Sequence, residues 1–180
     1  YLAEFGQAVE FPENGYHGYD IVETAKRIVS RNGRSFLDMS EEARLAEFKT
    51  LALKEKLAAL KEDLESFGVT FDCWFSEQTL HDADEITKSC DILKKTGDLY
   101  NHEGAWWLKS TKYGDDKDRV VIRENGQPTY LAADIAYHKD KLERGFDRII
   151  NIWGADHHGY IPRMKAAVEA LGYKGEQLEV

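Results

Sequence analysis

The sequence predicts an α/β fold: part of a parallel sheet, with a small antiparallel β block inserted into it. Three observations carry this expectation. Apolar residues recur at three- and four-residue steps in long runs, the signature of amphipathic helices. From about Glu77 to Pro128, short segments alternate like strands and are punctuated by Gly and Asn. The last third then reads as strand, helix, strand, polar loop and helix, the alternation that builds open parallel sheets.

The elements follow in order. Tyr1 to Arg34 is rich in Gly and aromatics and holds one helix, Asp20 to Asn32, with Asp20 as N-cap, Glu23 completing a capping-box variant and Gly33 as a left-handed stop. A long helix starts at the good N-cap Ser40 and runs to about Ser66, ended by Gly68; Leu45, Phe48, Leu51, Leu57, Leu60 and Leu64 share one face. Val69 to Phe75, β-branched and aromatic, reads as a strand, and Leu80 to Lys95 as a helix ended by Gly97. Strands are expected at Leu99-Tyr100, Ala105 to Ser110, Arg119 to Arg123 and Gln127 to Leu131, with Asn125-Gly126 as a hairpin turn. On such a strand Trp106 and Trp107 face opposite ways, leaving one exposed. Asp147 to Trp153, with Ile149, Ile150 and Ile152, reads as a buried strand stopping at Gly154. A helix over Arg163 to Leu171 follows, with Pro162 near its first turn and Gly172 just past its end. Leu178 to Val180 begins another strand.

Composition narrows the function classes. At 180 residues with 42% hydrophobic and 12% aromatic content, the chain can bury a core and is not a disordered one. Its apolar runs are far too short to span a bilayer, so no membrane partner is expected. Two cysteines, Cys73 and Cys90, form no metal-type pair and read as buried reduced thiols, which fits a cytoplasmic protein. A net charge of −9 argues against this segment gripping nucleic acid by itself.

The chemistry-bearing residues gather late in the chain. Tyr130 and Asp134 are four apart where strand gives way to helix, so both side chains can point one way. A carboxylate beside a phenol suits a guanidinium, which donates paired charge-assisted hydrogen bonds to a carboxylate. The competing reading makes Tyr130 a core aromatic and Asp134 an acid at a helix N-terminus. Ala155-Asp156-His157-His158-Gly159 lies beyond the carboxyl end of a strand, where open α/β sheets bind ligands. Asp156, His157 and His158 invite a metal reading, but loop neighbours rarely converge on one ion and no further ligand stands at the right spacing. Hydrogen bonding to a ligand's carboxylate, ribose or phosphate suits the two imidazoles better. Gly154 and Gly159 allow close backbone approach and a turn into the following helix. Asp115, Asp116 and Asp118, beside Lys117 and Arg119, read as an acidic turn rather than a magnesium cluster.

Three runs make the sequence familiar: Gly114-Asp115-Asp116-Lys117-Asp118-Arg119-Val120, then Pro128 to Leu131 with Asp134-Ile135-Ala136-Tyr137-His138-Lys139-Asp140-Lys141, then Asn151-Ile152-Trp153-Gly154-Ala155-Asp156-His157-His158-Gly159-Tyr160. Together they strongly resemble bacterial arginyl-tRNA synthetases, and Gly15-Tyr16-His17-Gly18-Tyr19 fits the same family. The match is specific from Gly114 to Gly172 and looser before Asn101.

The resemblance implies a nucleotide-binding, Rossmann-like sheet carrying insertions: 1–38 in a first insertion, 39–76 a core helix and strand, 77–128 a second, β-rich insertion, and 129–180 a core βαβ unit with the adenylate-site loop. It implies that Tyr130, Asp134 and His157 bind arginine and that Gly154, Asp156 and His158 bind nucleotide. Other family members carry glutamine at about the position of His157, so which imidazole meets arginine and which meets nucleotide stays open. The two signature motifs of class I synthetases, His-x-Gly-His and Lys-Met-Ser-Lys, do not occur, so the chain reads as an internal piece with no catalytic residue, inactive alone. ATP is then a substrate, with Mg held through it and no protein-bound metal, and arginine tRNA is a partner mainly through other domains. The alternatives are a stand-alone arginine- or tRNA-binding module and a metal-dependent hydrolase built on Asp156, His157 and His158.

Overall fold

A computed structural model describes residues 1–180, and the chain divides into two compact units, 1–73 and 74–180. The first holds a short 3-10 turn at Leu2–Phe5 and two helices, α1 (Tyr19–Asn32) and α2 (Glu41–Ser66). Ser40 caps α2, its hydroxyl accepting the Ala43 N–H at 3.3 Å. Gly18, not Asp20, is the N-cap of α1. Asp20 sits inside the first turn, where the dipole favours an acid and where Lys56 of α2 reaches it at 2.7 Å. Glu55 ties the helices further, accepting from Arg27 at 2.8 Å and Thr24 at 2.9 Å, and its hydrogen bond from Arg27 holds its carboxyl below the usual range. The rings of Tyr1, Phe5, Phe36 and Phe48 meet at 5.0–5.8 Å between centroids. Within α2 no residue is buried, and Leu45 and Leu60 are more than half exposed.

Residues 69–75 form no strand. Their β-branched and aromatic character marks a fit to a pleated surface, and no neighbouring strand offers one. Cys73 is exposed, against expectation, whereas Cys90 is buried and its thiol is pushed up to about 11 by that burial.

The second unit opens with α3 (Gln78–Asp82) and α4 (Glu85–Thr96), two helices where one was expected. The break falls at Asp84, whose φ of 56° is left-handed, a conformation Asp tolerates better than most residues. Three strands follow as an antiparallel meander: β1 (Leu99–His102), β2 (Ala105–Leu108) and β3 (Arg119–Ile122). Glu103 and Gly104, both at positive φ, make the two-residue turn between β1 and β2. A register shift separates Trp106 from Trp107, and neither is exposed: Trp106 lies under the Lys94 ammonium at 4.8 Å. The Asn125-Gly126 turn forms, with Asn125 Oδ1 accepting the Gln127 N–H at 3.0 Å. No fourth strand leaves it, because only Pro128 bridges to Ile122. Thr129 is then anchored on Val121 by its N–H at 2.9 Å, and α5 (Tyr130–Glu143) begins at once.

The acidic turn is consumed by partners within the chain. Asp118 accepts from Tyr100 and Thr111, and the Asp115 carboxylate, 2% exposed, takes Arg119 Nε at 2.8 Å and Nη2 at 3.0 Å. Burial alone would raise the Asp115 carboxyl, but Arg119 and backbone donors outweigh it and hold it at about 2. Asp115→Asn is therefore expected to cost about 2 kcal/mol in urea unfolding, because it removes the buried carboxylate that takes two hydrogen bonds from Arg119 and leaves that guanidinium only the exposed Asp116 carboxylate. The wild-type carboxylate contributes its full increment above the ordinary value of 3.8 and loses it as pH falls toward about 2. The Asn variant has no such acid-dependent increment to lose.

The chain closes with β4 (Ile149–Ile150), a 3-10 segment at Ala155–Tyr160, α6 (Ile161–Ala170) and β5 (Leu178–Glu179). β4 and β5 pair in parallel, Ile149 opposite Leu178 and Ile150 opposite Glu179, with α6 as the crossover. The strand expected over Asp147 to Trp153 is thus two residues long, with Ile150 and Ile152 exposed, since only one neighbouring strand is present to pair with it. Leu93, Leu108, Val121, Ile135, Met164 and Val168, each 0% exposed, form the centre of the core. The architecture is mixed α/β, a three-stranded antiparallel sheet and a two-stranded parallel one sharing that core.

Candidate functional site

Because α5 starts at Tyr130, Tyr130 and Asp134 stand one helical turn apart on the same face. Tyr130 is 86% exposed, which removes the core-aromatic reading. Asp134 lies beyond the first turn of α5 and caps nothing. Its Oδ2 instead accepts the Tyr160 hydroxyl at 2.6 Å. Burial, and then the carboxylate itself, push the Tyr160 phenol well above its ordinary value, so it remains a donor.

Tyr130, Asp134, Trp153, His157 and Tyr160 line a cleft of about 320 Å³. Trp153 stands edge-on to Tyr160 at 5.8 Å and tilts against His157 at 6.2 Å, so aromatic rings wall a single carboxylate. A half-open, aromatic-walled site with one acid recognises a flat cation by paired hydrogen bonds and ring contact. Tyr130 and Tyr160 also border a second cleft, of about 330 Å³, that carries Arg119, Arg123 and Arg163. The Arg163 guanidinium lies 4.7 Å above the Tyr160 ring. A carboxylate-bearing cleft and a guanidinium-bearing cleft therefore flank the same two tyrosines.

Of the six residues singled out in the sequence, Tyr130, Asp134 and His157 meet at one cleft. Gly154, Asp156 and His158 sit on the adjoining exposed loop and do not line it. Asp156 folds back so that its Oδ1 meets His157 Nδ1 at 3.2 Å, and a Cβ on Gly154 would stand 2.4 Å from that same oxygen. Tyr160 and Trp153 were missed. Both flank the polar loop as the aromatic residues nearest it, the one signal that marked them. No group of three His, Cys, Asp or Glu side chains is placed to share an ion, and no helix is long and apolar enough to cross a membrane.

No family model matches the sequence. Relatives are nevertheless clear. Arginine–tRNA ligases of Desulfitobacterium hafniense and Carboxydothermus hydrogenoformans are 52% and 53% identical over all 180 residues. The chain spans 32% of the length of each. A crystal structure from Campylobacter jejuni, named as an arginyl-tRNA synthetase, superposes with a TM-score of 0.87 at 44% identity, over 98% of this chain and 38% of that one. The Thermus thermophilus arginyl-tRNA synthetase shares the fold at a TM-score of 0.68 and 17% identity, over 99% of this chain and 37% of its own. Along its entire length, then, the chain matches an internal third of arginine–tRNA ligases.

Proposed function

We propose that this segment supplies the arginine-recognition wall of an arginine–tRNA ligase. The observation that carries the reading is the cleft in which Asp134 and the rings of Tyr130, Trp153 and Tyr160 converge. A guanidinium meets Asp134 through two donors while Tyr130 covers one of its faces, and Tyr160 holds the carboxylate in place. The whole enzyme joins the arginine carboxylate to the α-phosphorus of ATP, releasing pyrophosphate, and passes the arginyl group to a terminal ribose hydroxyl of arginine tRNA. ATP is a substrate that brings its own Mg, and the segment adds no resident metal.

In this reading His157 belongs to the arginine cleft, Gly154, Asp156 and His158 form the adenylate side of the loop beyond β4, and residues 129–180 are a core βαβ unit of a Rossmann-like nucleotide-binding sheet. Residues 1–38 and 77–128 are then the two insertions, and 39–76 returns to the core. The segment orients arginine rather than performing a bond change, so its contribution is positional. The enzyme works in the cytoplasm, where its tRNA is found.

Calorimetric titration of arginine and citrulline into the full-length ligase carrying this segment tests the reading. Citrulline keeps the shape and loses the charge, so arginine is expected to bind at least about 30-fold tighter, the worth of charge-assisted hydrogen bonds to a carboxylate. Equal affinities would overturn the assignment.

A further inference from the structure

Behind the cleft wall runs a buried polar chain that the arginine contacts do not use. His138, 2% exposed on α5, places Nδ1 2.8 Å from the Asp134 carbonyl oxygen. Its Nε2 lies 2.7 Å from Nδ2 of Asn151, 7% exposed just after β4. Asn151 Oδ1 in turn accepts from Lys141 Nζ at 3.0 Å. The chain therefore joins the helix that bears the recognition acid to the end of the strand that leads into the polar loop.

The donors fix one another. The Lys141 ammonium has only protons to give, so it holds the Asn151 carbonyl oxygen toward itself and turns the amide NH2 toward His138. The imidazole must then accept at Nε2 and donate from Nδ1 to the Asp134 carbonyl, which makes it the neutral Nδ1–H tautomer. Burial pulls the imidazole below its ordinary value, consistent with that state. Flipping Asn151 would aim its NH2 at the ammonium, and protonating His138 would aim Nε2–H at the amide protons. Either change leaves a buried donor unpaired. His138 also meets Trp153 edge-on at 6.5 Å, so one ring touches both a wall of the cleft and the backbone of its acid.

We propose that His138, Asn151 and Lys141 are positioning residues for arginine, holding Asp134 and Trp153 in the geometry that accepts a guanidinium. This rests on Asp134 being the guanidinium acceptor, and the test separates the two ideas. Steady-state aminoacylation by the full-length ligase carrying this segment is measured against arginine and against ATP for His138→Asn, Asn151→Ala, Lys141→Met and Lys141→Arg, with Asp134→Asn beside them and thermal melts of each. Asn at 138 keeps a donor near the Asp134 carbonyl but cannot reach Asn151, and Met at 141 removes the outermost donor together with its cation contact on the Tyr137 ring at 4.2 Å, both of which Arg can restore.

The expected result is an arginine KM raised about tenfold by Asn151→Ala and Lys141→Met, and less by His138→Asn, in line with the loss of one buried hydrogen bond. The ATP KM moves less than about twofold, and Lys141→Arg, which restores a donor to Asn151, returns the arginine KM to near wild type. The proposal is overturned if folded variants keep the wild-type arginine KM while Asp134→Asn raises it, which would leave the acceptor role of Asp134 intact. It is also overturned if arginine and ATP KM rise together, the mark of general loosening. An unchanged arginine KM in Asp134→Asn sinks the acceptor assignment itself. If His138→Asn fails to fold, Lys141→Met and Lys141→Arg carry the same test.

Discussion

Replacing Asp134 by Asn is expected to raise the arginine KM of the full-length ligase carrying this segment by on the order of 100-fold, with the ATP KM moved by no more than about threefold. The substitution preserves shape and volume and removes one charge. Each hydrogen bond from a guanidinium to the carboxylate contributes about 1.5–3 kcal/mol, and the amide replaces one acceptor with an NH2 that faces other donors. The Tyr160 hydroxyl, which donates to Asp134 at 2.6 Å, reports on the same exchange, because it has an acceptor only while an oxygen faces it. Steady-state kinetics with arginine varied at saturating ATP and tRNA decides the matter. An unaltered arginine KM would remove Asp134 from the recognition site.

The second large effect concerns stability. Leu93→Ala is expected to cost about 3 kcal/mol and to lower the melting temperature of the 74–180 unit by roughly 15 °C. Leu93 is 0% exposed on α4 and belongs to the cluster that includes Ile86, Leu99, Leu131 and Ile135, so truncation leaves a cavity bounded by several elements at once. Ile152→Ala, at a side chain 95% exposed, is expected to leave the melting temperature within about 1 °C. Thermal unfolding followed by near-ultraviolet circular dichroism compares the two. Similar shifts for both would mean that the core is not where the burial places it.

Helices were the most legible part of this fold. Ser40 caps α2 as its position predicts, and the Gly at 33, 68, 97 and 172 fall just beyond helix ends, each at positive φ. Those signals are local: a cap, a period and a stop sit within a few residues of one another. Strands were legible only where a turn enforced pairing. β1, β2 and β3 form near their expected places, whereas residues 69–75 form no strand and 147–153 yields only Ile149 and Ile150. Strand propensity describes a surface waiting for a neighbour, and the neighbour lies far along the chain.

The candidate site divides along the same line. Tyr130, Asp134 and His157 were readable from a four-residue spacing, from a polar loop after a strand and from a family resemblance carried by residues 114–172. Tyr160 and Trp153 were not, since their claim rests on contacts with Asp134, His138 and His157 that no spacing reveals.

By itself, then, the sequence determined the Ser40 cap of α2, the glycine stops that follow the helices, the hairpin turn at Asn125-Gly126 and the resemblance to arginyl-tRNA synthetases. Only the tertiary structure decided that no strand forms over Gln127 to Leu131 and that a helix starts at Tyr130 instead, that Asp134 takes the Tyr160 hydroxyl, and that His138 is locked between Asp134 and Asn151. The physical reason is range. Helix caps and turns are satisfied by residues close in sequence, whereas a buried donor finds its acceptor wherever the fold brings one within about 3 Å.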